Sequence, residues 1–246
     1  MTGRPRFRLP YRGGNTNVEH LSMPGPAGAL EALLEWNPQA TPRLSVIVCH
    51  PHPLYGGTMH TKIVFRAAKA ALQLGVPVLR FNFRGVGKSE GEFDHGVGER
   101  HDVGAALDYL QTRWPRTPVC LMGFSFGCWV GLAAGAADPR VSTLIGLGLP
   151  TASTNFDFLR PVTKPKLIIQ GTEDVYGPRP TVQALFDHLE EPKRIHWVEG
   201  ADHFFTLRLE EIQRVIHGFL EEVLDGRQGR RGSAPAALLP DVRSGS

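Results

Sequence analysis

The chain has 246 residues, 41% of them hydrophobic and 21% charged, with a formal net charge of +3. This is enough apolar material for one substantial core, so one domain is the natural count. The charge sits at the ends: residues 1–13 carry four arginines and no acid, and 226–246 carry four arginines and one aspartate. Residues 14–225 are left with 19 basic against 23 acidic side chains, a net of −4. A mildly acidic body excludes a nucleic-acid binder, which carries its basic patch on the fold.

Taken in chain order, 1–13 is expected to be a flexible basic terminus and 14–225 the folded unit. Asn17 to Ser22 and Leu30 to Trp36 read as an antiparallel edge. Apolar, strand-like runs follow at 44–49, 76–83, 119–122, 143–149, 166–170 and 194–198. They alternate with helix-like stretches at 60–74, 98–112, 125–137, 178–190 and 207–224. Alternation of this kind predicts an α/β fold with a mostly parallel central sheet and helices on both faces. The tail from Gly226, rich in Gly, Arg, Ser, Pro and Ala, is expected to be disordered. No internal repeat is evident.

Cys49, Cys120 and Cys128 fall inside predicted strands and a helix. They read as buried free thiols, and an odd count of three does not suggest a disulfide framework. No apolar stretch is long enough to span a bilayer, and no signal-type core follows the basic start. A reducing cytoplasm is the expected compartment.

Chemistry concentrates at Gly123-Phe124-Ser125-Phe126-Gly127, between the strand run Val119–Met122 and the small, apolar helix run Cys128–Ala137. A serine on so sharp a strand-to-helix turn has its hydroxyl pushed above the sheet edge, and glycine is needed on either side. A hydroxyl is a poor nucleophile at neutral pH and needs a histidine to take its proton and an acid to orient that histidine. Asp174 and His203 follow in that order, each in a turn after its own strand run. Loops at the carboxyl ends of parallel strands meet on one edge, so the three can converge. Glu173 competes with Asp174 for the acid role.

The tetrahedral intermediate of acyl transfer also needs N–H donors for its oxyanion. One is expected from Phe126, directly after the serine. The other should come from His50-Pro51-His52-Pro53-Leu54-Tyr55-Gly56-Gly57, the loop after the run at 44–49. Proline has no N–H, so the amide of His52 is preferred, with Leu54 and Tyr55 as fallbacks. A metal reading of His50 and His52 lacks a third ligand at suitable spacing. Tyr55, Phe156, Phe158, Tyr176 and Phe204 are the expected pocket residues. Arg84 either binds an acidic substrate group or ties loops together by ion pairs, and the second is preferred. Glu99 and Asp102 suit the start of a helix on charge alone.

These residues carry a resemblance. Ordered segments at 50–57, Arg80–Ser89, the serine turn, Gly171-Thr172-Glu173-Asp174 and Gly200-Ala201-Asp202-His203 resemble the α/β-hydrolase superfamily. Within it the chain is similar to small bacterial-type serine hydrolases distantly related to dienelactone hydrolase. The resemblance implies the α/β-hydrolase fold, a Ser125–His203–Asp174 triad with Asp174 rather than Glu173 as its acid, and an amide pair at His52 and Phe126. It implies hydrolysis of a small-molecule ester, with no cofactor or metal. The chain departs from dienelactone hydrolase itself, which uses cysteine, so a lactone substrate does not carry over. Relatives that open epoxides or remove halide carry Asp where Ser125 stands.

Lipase-like relatives insert a large cap between the strands at 143–149 and 166–170, and here only a short segment is available. An open cleft favours small or short-chain esters, since it offers little apolar wall for long chains. Two rivals stand beside a carboxylic ester hydrolase: a peptidase or amidase of the same fold, and a hydrolase-fold protein that binds a ligand without turnover.

Overall fold

The computed structural model describes residues 16–226. The basic termini expected at 1–13 and 226–246 lie outside the described residues, Gly226 apart. An eight-stranded sheet runs through the middle, in the order β1-β2-β4-β3-β5-β6-β7-β8. β1 (Asn17–Gly25) and β2 (Gly28–Trp36) form the antiparallel edge, joined by a tight turn, and β2 pairs antiparallel with β4 (Val78–Phe81). β3 (Ser45–Cys49), β4, β5 (Val119–Phe124), β6 (Val141–Leu147), β7 (Lys166–Gly171) and β8 (Lys193–Val198) run parallel.

Every residue of β3, β4, β5 and β7 is buried. Strands covered on both faces need apolar side chains at successive positions, which is why Val46–Cys49, Val119–Met122 and Leu167–Ile169 read as apolar runs. Successive side chains serve opposite faces. Val46 and Val48 of β3 join Cys120, Met122 and Ile145 under α1 (Lys62–Leu72) and α5 (Leu209–Leu224). Ile47 and Cys49 join Leu121 and Ile168 under α2 (Val97–Arg113), α3 (Phe126–Ala137) and α4 (Arg179–Asp187). Both helices of the first face present one apolar stripe, Ile63, Val64, Ala67 and Ala71 on α1 and Ile212, Ile216, Phe219 and Leu220 on α5.

From β3 the chain winds outward to β4, then returns past β3 to β5 and continues to β8. The loops leaving the carboxyl ends of β3 and β5 therefore part company, and a crevice opens between them. Residues 50–57 and Ser125 sit at that crevice. Between β6 and β7 only residues 148–165 intervene, with one short 3₁₀ turn at Asp157–Leu159. No cap domain stands among the described residues. No helix among the described residues is long and apolar enough to cross a membrane.

Two buried polar contacts hold the β4 loop. Arg84 donates from Nε and Nη2 to Asp102, which is fully buried, and from Nη2 to the Gly98 carbonyl. Arg84 thus ties its loop to α2, and Asp102 answers that charge beyond its place near a helix start. Glu99 accepts from the N–H groups of Asp94 and Gly96, capping the helix.

His50, fully buried at the end of β3, bridges to the same loop. Its Nε2 accepts from the Phe83 N–H at 3.0 Å and its Nδ1 donates to the Pro51 carbonyl at 2.6 Å. Burial pushes this imidazole down from 6.5 to about 4, with the Pro51 hydrogen bond opposing. In the unfolded chain the ring takes up its proton near pH 6.5, while the native ring stays neutral. Its stabilising contribution is therefore complete above pH 6.5 and is lost as pH falls through about 4, a span worth about 3 kcal/mol. Urea unfolding midpoints should drop across that window, and the drop should be smaller in His50→Gln.

Candidate active site

Ser125 occupies the turn between β5 and α3 with φ 55° and ψ −119°, a region costly for a side-chain-bearing residue. The geometry explains the two flanking glycines. A Cβ on Gly123 would stand 2.2 Å from the Gly127 carbonyl oxygen, and one on Gly127 would stand 2.5 Å from that of Cys49. Glycine alone permits so close an approach of helix to sheet. The turn is pinned by the Ser125 N–H on the Leu147 carbonyl and by Cys128 Sγ on the Gly123 and Leu147 carbonyls. All three cysteines are buried and free, and burial holds their thiols above the usual range.

The structure brings Ser125, His203 and Asp174 together. His203 Nε2 lies 2.9 Å from Ser125 Oγ, and His203 Nδ1 lies 2.7 Å from Asp174 Oδ2. Asp174 sits in the turn after β7 and His203 in the loop after β8, both buried. Glu173 beside it is exposed. Four donors converge on the Asp174 carboxylate. His203 and Gln170 Nε2 meet Oδ2, and the Tyr176 and Gly177 N–H groups meet Oδ1. With Nδ1–H committed to Asp174, Nε2 is left to accept from the serine hydroxyl.

Gln170 is a positioning residue that sequence reasoning missed. It is the penultimate residue of β7 and fully buried. Its Oε1 accepts from the Leu149 N–H and its Nε2 donates to Asp174 and to the Gly177 carbonyl. One polar residue closing an apolar strand beside Gly171-Thr172-Glu173-Asp174 was the available signal.

On the other side of Ser125, the loop after β3 narrows the choice of amide. Leu54 N–H is taken by the His52 ring, Tyr55 and Gly57 N–H by the His52 carbonyl, Gly56 N–H by Pro53, and Thr58 N–H by Thr61. Among the described residues no protein acceptor engages the N–H of His52, nor that of Phe126, the first residue of α3. Both fallback amides are thus spent. His50 cannot join His52 in holding a metal, since both His50 ring nitrogens are committed. Burial also lowers the His52 pKa.

Ser125 opens into a cavity of about 820 Å³. Of the expected pocket residues, Tyr55, Tyr176 and Phe204 line it, together with His52 and Phe126. Phe156 and Phe158 do not. Phe156 is buried and Phe158 packs beside it against the α3 face of the core, because the short β6–β7 segment folds back onto that helix instead of reaching over the cleft. Their place on the rim falls to Pro150, Ser153 and Thr154. Sequence reasoning also missed Phe93, His95 and Trp129. The His52 ring lies 5.0 Å from Phe93 and 4.9 Å from Phe126, which continues to Trp129 at 6.0 Å. Across the cavity, Phe124 and Tyr176 pack on His203 at 5.1 and 4.7 Å. No Lys, Arg, Asp or Glu is among the described lining residues.

The family model described as "Alpha/beta hydrolase domain" matches residues 45–219. An uncharacterized protein of Rickettsia prowazekii (strain Madrid E) is 37% identical over 206 residues, covering 80% of this chain and 86% of the relative. A serine hydrolase without lid from Xanthomonas campestris superposes with a TM-score of 0.77 at 32% identity, over 89% of this chain and 98% of that one. An alpha-beta serine hydrolase homologue from Coxiella burnetii gives 0.76 at 39% identity, over 82% of this chain and 97% of that one. The chain belongs to the alpha/beta hydrolase family, among its serine hydrolases.

Proposed function

We propose that the protein hydrolyses small or short-chain, uncharged carboxylic esters through an acyl-enzyme on Ser125. The observation that carries this reading is the unbroken chain of short hydrogen bonds from Ser125 Oγ through His203 to Asp174. Ser125 Oγ attacks the ester carbonyl carbon while His203 Nε2 takes its proton. Asp174 holds the Nδ1–H and stabilises the imidazolium. The N–H groups of Phe126 and His52 receive the oxyanion, each such donor being worth about 3–4 kcal/mol in the transition state. Collapse breaks the bond to the alkoxy oxygen, which leaves as alcohol with the proton from His203. Water then attacks the acyl-enzyme with His203 as base, releasing the carboxylic acid and restoring Ser125.

The cavity supports the substrate class. Its aromatic walls suit a small apolar acyl or aromatic alcohol group, and no described lining side chain offers a charge to partner an ionised substrate. A long chain would leave the open rim and remain in water.

Ser125→Ala should lower kcat for 4-nitrophenyl acetate by about 10⁴-fold or more, since removing the nucleophile disables the whole unit. A fluorophosphonate should label the wild-type protein at Ser125, read by peptide mass. An unlabelled serine without ester turnover would favour the ligand-binding rival, and full turnover in the alanine variant would overturn the acyl-enzyme on Ser125.

A panel of nitrophenyl esters should be cleaved fastest from acetyl to hexanoyl, and the palmitoyl ester about tenfold slower or worse. The hemisuccinate should fall about tenfold below the butyrate, the cost of bringing an unpaired carboxylate against apolar walls. Peptide nitroanilides run in parallel test the amidase rival, which requires them to match the esters.

A further inference from the structure

We propose that His50 is a positioning residue for the oxyanion site, setting the direction of the His52 N–H by holding the carbonyl of the peptide that precedes it. The proposal deepens the hydrolytic reading and rests on the His52 amide as an oxyanion donor.

The two nitrogens of His50 face partners of opposite kind. Phe83 offers only an N–H, so Nε2 must accept; Pro51 offers only a carbonyl, so Nδ1 must donate. One neutral tautomer satisfies both, and burial keeps the ring neutral down to about pH 4. The tautomer is therefore constant wherever the enzyme works. His50 has no nitrogen left for substrate, metal or proton transfer.

The consequence lies in peptide geometry. Pro51–His52 is a trans peptide, so its C=O and N–H point in opposite directions. Drawing the Pro51 oxygen toward buried His50 turns the His52 N–H away from it, toward the cavity that Pro51, His52 and Ser125 line. Gly57 packs over the same carbonyl, for a Cβ there would stand 2.1 Å from the Pro51 oxygen. The next peptide is held as well, since the His52 carbonyl accepts from Tyr55 and Gly57. His50 also packs edge-on against Phe83 at 4.7 Å, and Phe83 against Phe126 at 5.9 Å. The residues carrying the two donor amides thus share one support.

Two conservative variants separate positioning from packing. Asn places a donor near the Nδ1 position and can hold Pro51 while losing Phe83. Gln reaches the Nε2 position and can satisfy Phe83 while losing Pro51. With 4-nitrophenyl acetate, His50→Gln should lose about 30-fold or more in kcat, below the roughly 10²–10³ of deleting a donor outright, with KM within about twofold. His50→Asn should recover about tenfold of that loss. Losses in both variants that only follow the folded fraction, or KM changes without a kcat change, overturn the proposal. If His50→Gln does not fold, His50→Ala replaces it, and equal kcat in the Asn and Ala variants at equal folded fraction overturns it.

Wild type and Ser125→Ala run alongside. A wild type no faster than Ser125→Ala defeats the hydrolytic reading instead. Crystal structures of wild type and His50→Gln (or His50→Ala) then decide the positioning claim: a rotated Pro51–His52 peptide in the variant supports it, and an unrotated one overturns it.

Discussion

The site depends on how closely α3 approaches the sheet at Ser125. Hydrogen alone stands on the α-carbons of Gly123 and Gly127, and the space for a methyl group is already occupied by backbone. That contact forces Ser125 into a conformation costing about 1–3 kcal/mol. The surroundings over-determine it. β5 and β6 are buried and hydrogen-bonded beneath the turn, the Ser125 N–H is bound to Leu147, and Cys128 secures the carbonyls on either side. The strain leaves a hydroxyl clear of the sheet edge and, one residue later, a helix N-terminus whose first N–H has no intrahelical acceptor.

Each remaining part is held by a buried polar side chain hydrogen-bonded to more than one neighbour. Gln170 spans the loops after β6 and β7, so the acid and the rim above it move as one body. His50 spans the ends of β3 and β4, and Arg84 with Asp102 ties the β4 loop to α2. Burying such groups is favourable only when their partners are complete, and a complete set rigidifies what it joins. The apolar faces of the sheet supply stability. These polar ties direct it to the crevice where the sheet's winding reverses.

Much of the fold was legible because the parallel strands are covered on both faces. β3, β5 and β7 are built around short apolar runs, which length and flanking turns distinguish from helices. β1 was harder to bound. It is an edge strand with one fully buried residue, Met23, so little hydrophobic pattern marks its end, and it runs to Gly25 rather than Ser22. The convergence of Ser125, Asp174 and His203 was legible because each sits in the turn or loop that follows a strand run. Gln170 was not, since a polar residue in a strand does not reveal which loop it faces. Phe156 and Phe158 were misplaced for a related reason: an aromatic near a cleft in sequence can turn toward the core or the cleft, and local pattern does not distinguish them. His50 was weighed as half of a His-x-His pair and set aside, and its structural role stayed hidden because a sequence shows ring nitrogens but not what occupies them.

The lidless architecture makes these ties more consequential. Enzymes that close a cap over substrate can complete their catalytic geometry at that moment. With only residues 148–165 between β6 and β7, no such element stands among the described residues, and the constellation must be assembled beforehand. The distances agree: serine, imidazole and carboxylate are already in contact, and the spare amides of the β3 loop are already consumed. Without a cap, water is excluded by walls alone, and Phe93, Phe124, Phe126 and Trp129 line the crevice. An aromatic wall against the imidazole and the His52 loop strengthens the electrostatics that act there. In the proposed reaction the open rim leaves water its path for deacylation. Rigidity at the sheet edge thus substitutes for closure.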